Sequence, residues 1–241
     1  MTHAILVYHR IVAGAAERFH DVTIAAFEQH LDRLLALGAR RETPYGPLRL
    51  GDGRGLFISF DDATDDHALA GRLLEQRGLT GLFLVPAGRL GEPGRLTPAQ
   101  VSGLAAAGHI IGAHGLSHER FDRMAPADLD RELSQPRAIL SGLTGREIDW
   151  LAPPGGLCPS RLADRAAGHG YRFVRTMRWG LAGADLSGLL PALPVTSRTT
   201  PEGFSRLLAG KGMIRLARAK ELVKSVMGET LWDALRERWR R

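Results

Sequence analysis

A single cysteine, Cys158, serves the whole chain of 241 residues. A lone thiol cannot close an internal disulfide, so no disulfide framework holds this fold, and the composition suits a reducing compartment. Long apolar runs are also missing. The longest early one, Ala4 to Tyr8, falls far short of the roughly 20 residues of a membrane helix, and of a signal-peptide core as well. A cytoplasmic setting is the expectation that follows. The chain shows no internal repeat, no low-complexity linker and no clear domain boundary. It also lacks a basic stripe interleaved with aromatics, so nucleic acid is not an expected partner.

What is present is ordinary for a soluble globular protein: 44% hydrophobic and 24% charged residues, in a chain long enough for one α/β domain with a full core. The net charge of +6 is uneven. Residues 211–241 hold nine Lys or Arg against four acids, a balance of +5 that leaves +1 for the first 210 residues. This tail reads as the solvated face of C-terminal helices, with weak contact to an anionic membrane surface as the alternative.

Strand and helix signals alternate along the chain. Short apolar runs rich in strand formers occur at Ala4–Tyr8, Leu56–Phe60, Leu82–Val85, His109–Gly112, Asp149–Ala152 and Tyr171–Thr176, with a weaker one at Leu193–Thr196. Between them lie helix patterns with recognisable ends. Thr23 is placed to cap a helix closed by Gly38, and Asp66 to open one stopped by Gly78. Thr97-Pro98-Ala99-Gln100 is a capping box, 126–141 reads as a helix, and Thr200-Pro201 opens the tail. Six or seven β/α units in about 200 residues argue for a parallel barrel or an open α/β sheet. The polar residues that stand out, His9, Asp61, Asp62, His114 and His118, all follow strand ends, which in a β/α barrel share one face.

His114 and His118 are four residues apart, so their rings can meet at one point, and imidazole suits zinc and its first-row neighbours. A catalytic site of this kind needs a third ligand and an open position. Asp61 or Asp62 supplies that carboxylate and leaves the other as a base. Two adjacent carboxylates at a strand end otherwise repel unless a cation sits between them.

Phe60-Asp61-Asp62, followed by Asp66, resembles the first motif of the polysaccharide deacetylases, the NodB-homology or family 4 carbohydrate esterases. His114-Gly-Leu-Ser-His118 is similar to their second motif, and Ala152-Pro153-Pro154-Gly155-Gly156 falls where the third should be. The resemblance covers roughly residues 4–180. It implies a distorted (β/α)7 barrel, placed over 1–200, and metal-dependent removal of N-acetyl groups from a sugar, polysaccharide or glycoconjugate precursor; apart from the resemblance, 201–241 is expected as a basic helical C-terminal extension packed on or projecting from the barrel. The implied roles are Asp61 as base, Asp62, His114 and His118 as ligands of one divalent ion, and Gly155 as oxyanion donor. The expected ion is zinc, with cobalt, nickel or iron as alternatives. Ser117 and Asp66 would brace the metal loop, and Pro154 and Trp179 are the candidate substrate contacts.

Two departures stand out. The third-motif Arg is Ala152 here, so the partner that orients the base is either missing or supplied from elsewhere. No late Leu-x-x-His follows residue 180, the last histidine being His169. Imidazole is well matched to protonating a leaving amine near neutral pH. Val7-Tyr8-His9 ends the first strand, which in a closed barrel lies beside the last. Family members with circularly permuted motifs carry an early Tyr-His of this kind, so His9 is expected to be the general acid. Two other readings compete: a non-catalytic carbohydrate-binding relative, and a two-His-one-carboxylate iron oxygenase, whose usual His-x-Asp/Glu start fails at Leu116.

Overall fold

A computed structural model describes residues 2–210 apart from Ser160. In chain order the elements are β1 (His3–Tyr8), β2 (Arg10–Val12), β3 (Asp21–Thr23), α1 (Ile24–Ala36), β4 (Leu48–Arg49), β5 (Gly55–Phe60), α2 (His67–Glu75), β6 (Leu82–Val85), α3 (Pro98–Ala106), β7 (Ile110–Ala113), α4 (Pro126–Thr144), β8 (Trp150–Leu151), α5 (Leu162–Gly168), β9 (Phe173–Trp179), β10 (Leu189–Pro194) and α6 (Pro201–Leu208). Seven parallel strands, β1-β5-β6-β7-β8-β9-β10, close on themselves because β10 pairs with β1. This is the expected (β/α)7 barrel. The short β4 adds antiparallel to β5, and β2 and β3 form a separate parallel pair.

Alternation along the strands builds two hydrophobic layers. Ile5, Val7, Phe57, Leu82, Leu84, Ile110, Trp150 and Ala192 fill the barrel interior. Their neighbours Leu6, Tyr8, Ile58, Phe60, Phe83 and Ile111 face outward, against Phe27, Leu31 and Leu34 of α1 and Leu133 of α4. Phe60 stacks on Phe83 with centroids 4.8 Å apart, and Phe27 meets Tyr8 edge-on at 5.2 Å.

The capping signals work as the sequence suggests. The Thr23 hydroxyl accepts from Ala26 N–H, Thr97 and Gln100 form the reciprocal capping box, and Gly38 ends α1's turn at φ +77°. Asp66 is the exception. It precedes α2 without capping it, because its carboxylate accepts from Ile11 N–H at 2.6 Å instead.

Helix α6 opens the expected extension at residue 201, and its Phe204, Leu207 and Leu208 are buried in the outer layer with α1. The remainder of the 201–241 extension, on which the basic charge and the expected weak membrane contact fall, lies outside the described residues. Among the described residues no helix is long and apolar enough to cross a membrane.

His30 of α1 is buried in the outer layer. Its Nδ1 is 3.1 Å from the Tyr8 hydroxyl, and its ring stacks on Phe204 at 4.1 Å. Burial lowers its pKa from 6.5 to about 4. The folded state therefore resists a proton that the unfolded chain accepts. Stability is intact above 6.5 and falls as the pH drops towards 4, by up to about 1.4 kcal/mol per pH unit from this group. Replacing both partners, Tyr8→Phe with His30→Leu, removes that share. Urea midpoints measured at pH 7.5, 6 and 5 should drop less steeply in the double variant than in the parent; parallel curves would contradict the assignment.

Candidate active site

The C-terminal ends of β1, β5 and β7, with the third residue of β9, bring five of the predicted residues, and one unpredicted residue, to a single point. After β5 the chain makes an abrupt turn. Asp61 N–H donates to Tyr8 C=O at 3.0 Å, and then Asp62 (φ +77°) and Ala63 (φ +49°) both adopt left-handed backbone. Side-chain-bearing residues rarely do so without outside support. Here Arg95 Nη1 donates to Asp62 C=O at 2.5 Å and Leu96 N–H to Ala63 C=O at 2.9 Å. The turn sends the two neighbouring carboxylates to different partners.

Asp62 faces the histidines. Its Oδ1 is 2.8 Å from His118 Nε2 and 3.4 Å from His114 Nε2. One ligand atom from each of the three residues lies within 4.8 Å of the others. His114 is nearly fully buried at the end of β7, and its Nδ1 is 2.8 Å from Ala152 C=O. A carbonyl only accepts, so Nδ1 carries the hydrogen and Nε2 presents its lone pair. Ala152, in place of the third-motif Arg, thus contributes through its backbone. Burial pushes the Asp62 carboxyl up, but the His114 and His118 rings beside it outweigh that and hold the group well below the usual carboxylate range. Two imidazole nitrogens and one carboxylate in this arrangement fit a divalent cation such as zinc.

Asp61 turns the other way and is 3% exposed. Its Oδ1 accepts from Nη2 of Arg175, a fully buried guanidinium on β9. Burial raises the Asp61 carboxyl, yet the charge of Arg175, followed by His114 and His9, brings it below its ordinary value. Arg175 supplies the partner that Ala152 cannot. The clue in the sequence was an arginine inside the apolar strand Phe173–Thr176.

On the far side of Asp61 sits His9, its Nε2 3.9 Å from Asp61 Oδ2. The His9 carbonyl accepts from Thr64 Oγ1 at 3.3 Å and contacts His67 Nε2. The His9 ring packs on His20 with centroids 4.3 Å apart. Asp66 ties the strand just beyond His9 through Ile11 N–H, so it braces the His9 segment and not the metal loop. That corrects its expected place. His20 and His67, which carry no ligand spacing in the sequence, are both packed around His9. Burial lowers the His9 pKa to about 4, against the pull of the Asp61 and Asp62 charges.

The other predicted residues are more loosely placed. The Ser117 hydroxyl accepts from Glu119 N–H at 3.2 Å, while Ser117 N–H is held by Glu132 of α4. Gly155 and Gly156 follow β8 at φ +71° and +72°, and a side chain at Gly156 would run into Met177 of β9. Pro154 is buried, so it shapes this turn and offers no face to a sugar. Trp179 is 41% exposed at the end of β9, with none of the predicted site residues among its described contacts.

Similarity to known proteins agrees with this geometry. The polysaccharide deacetylase family model matches residues 51–174, just over half the chain. The Shewanella sediminis protein named "Probable 4-deoxy-4-formamido-L-arabinose-phosphoundecaprenol deformylase ArnD" is 32% identical over 100 residues, which is 40% of this chain and 33% of that one. The match thus spans a third of that relative's length. A polysaccharide deacetylase from Bacillus cereus superposes with a TM-score of 0.75 at 18% identity, covering 86% of this chain and 69% of the other. The deacetylase PplD of Streptococcus pyogenes, solved with acetate, gives 0.73 at 20% identity over 88% and 99% of the two chains. IcaB from Ammonifex degensii gives 0.71 at 21% identity over 86% and 96%. At these identities the structural likenesses speak for the barrel alone, and the family model speaks for the lineage. The chain belongs to the polysaccharide deacetylase family, whose deacetylases are hydrolases of amide bonds.

Proposed function

We propose that this protein is a metal-dependent hydrolase that removes N-acetyl groups from an N-acetylated sugar, polysaccharide or glycoconjugate precursor. The observation that carries the reading is the division of labour between adjacent carboxylates: Asp62 joins His114 and His118, while Asp61 is held apart by Arg175 and flanked by His9. A binding-only relative has no need of a base kept separate from the cation ligands.

Asp62, His114 and His118 would hold the divalent ion. When bound, the ion supplies Lewis-acid polarisation of the acyl carbonyl and acidifies a water. Asp61 takes the proton from the attacking water, with Arg175 fixing the direction of its carboxylate. Gly155 N–H is assigned to the oxyanion, Pro154 having no N–H to offer. His9 delivers a proton to the amine nitrogen as the C–N bond breaks. Its lowered pKa means it enters the cycle neutral. Asp61, newly protonated and 3.9 Å away, is the nearest source of the proton it passes on. Trp179 is retained as a candidate for stacking on a sugar face.

A second reading concerns only the acyl group. The ArnD relative is named a deformylase, so a formamido sugar is the alternative to an acetamido one. Acetate or formate release from N-acetylglucosamine oligomers and their N-formyl counterparts, after chelation and after re-addition of zinc or cobalt, tests the reaction and its acyl group together. Activity that survives complete chelation would contradict the proposal.

Replacing His118 with Ala should remove most of the bound metal while leaving the circular dichroism spectrum unchanged; metal content equal to the parent's would rule out its role as a ligand. For His9→Ala at unchanged metal content, amide substrates should slow by about a hundredfold or more, the usual scale for a general acid. An activated aryl acetate, whose leaving group needs no proton, should slow far less. Equal slowing of the two substrates would remove His9 from the acid role.

A further inference from the structure

Helix α4 carries an acid on its apolar face. Leu129, Leu133, Pro136 and Leu140 are buried against the barrel, and Glu132 is buried with them at 6% exposure. A buried carboxyl is costly unless its oxygens find donors. No cationic side chain pairs with Glu132 among the described residues. Its donors are backbone amides: Oε2 accepts from Leu116 N–H at 2.6 Å, and Ser117 N–H reaches both oxygens at 3.1 Å. These two amides lie between His114 and His118, in the loop that must bring both rings to Asp62.

The loop is shaped to receive this group. Gly115 sits at φ +75°, and a Cβ there would lie 2.8 Å from Glu132 Oε2 and 3.1 Å from the Phe121 ring. Only glycine lets the carboxylate approach. The opposite face of the loop is fixed too, Ala87 N–H donating to Gly115 C=O at 3.1 Å and Gly88 N–H to Leu116 C=O at 2.9 Å. Glu132 thus satisfies the amides, and the turn after β6 satisfies the carbonyls. His118 then reaches Asp62 from left-handed backbone at φ +69°, a conformation that needs outside support.

We infer that Glu132 is a positioning residue for the metal site: it sets the spacing of His114 and His118, and through it the affinity and coordination geometry of the cation. The inference rests on the reading of Asp62, His114 and His118 as ligands. Loss of a hydrogen-bonding partner that orients metal ligands typically costs 10–100-fold in affinity.

The test measures metal affinity and not turnover. Glu132→Gln keeps the size of the side chain but turns an NH2 group towards one of the two amides. Zinc dissociation constants, measured by chelator competition on the full chain, should rise at least tenfold over the parent. The visible absorption bands of the cobalt-loaded variant should shift, because ligand geometry has changed. The metal-free variant should keep the parent's circular dichroism spectrum. Glu132→Asp retains the charge but falls one methylene short, and should bind zinc with intermediate affinity; it also serves if the Gln variant fails to fold. Parent-like zinc affinity and cobalt spectra in the variant that folds, even with a lowered melting temperature, would show a purely structural role and overturn the inference. If the parent itself binds no zinc, it is the ligand assignment that fails.

Discussion

Everything at the barrel mouth depends on keeping two adjacent carboxylates apart. Asp61 and Asp62 leave the same strand end, and placed side by side in a buried site they would repel and share a proton. The buried ion pair between Asp61 and Arg175 prevents this by drawing one carboxylate across the barrel to β9. Removing one member of such a pair strands the other charge and typically costs about 3–5 kcal/mol. The pair is therefore a constraint on structure as well as on chemistry. With Asp61 fixed, Asp62 is left to face His114 and His118, and His9 comes to rest beside Asp61.

The backbone bears the strain of this arrangement. Asp62, Ala63 and His118 all occupy left-handed conformations, each disfavoured by about 1–2 kcal/mol for a residue with a Cβ. None is adopted at random. Arg95 and Leu96 hold the first two through their carbonyls, and the loop before His118 is clamped by Glu132 on one side and by the turn after β6 on the other. Seven strands whose side chains interlock inside and out make the frame that holds these turns. Their ends can then be used for positioning without collapse of the fold.

Much of this was legible in the sequence because barrel strands are short apolar runs followed by polar residues. The runs ending at Tyr8, Phe60 and Val85 stop where β1, β5 and β6 stop, the run ending at Gly112 stops one residue short of the end of β7, and the spacing of His114 and His118 pointed to the cluster they form with Asp62. What was hidden depended on contacts distant in sequence. Arg175 meets Asp61 across 114 residues, and only barrel closure decides that the end of β5 and the start of β9 come together. Glu132 lies within the helix pattern at 126–141, and no local pattern shows that it is buried with Leu129, Leu133 and Leu140. Asp66 read as a helix-start acid, but its carboxylate is taken by Ile11, which no local pattern reveals. Strands β2, β3 and β4, of two or three residues each, are too short to show a period of two.

Asp61 and Asp62 are proposed to do different work. Metal stoichiometry and acyl release measured side by side for Asp61→Asn and Asp62→Asn separate the two roles. Asp61→Asn should hold one divalent ion per chain and lose about a hundredfold or more in turnover, while Asp62→Asn should lose the ion itself. Loss of metal from Asp61→Asn to the same degree as from Asp62→Asn would contradict that division of roles.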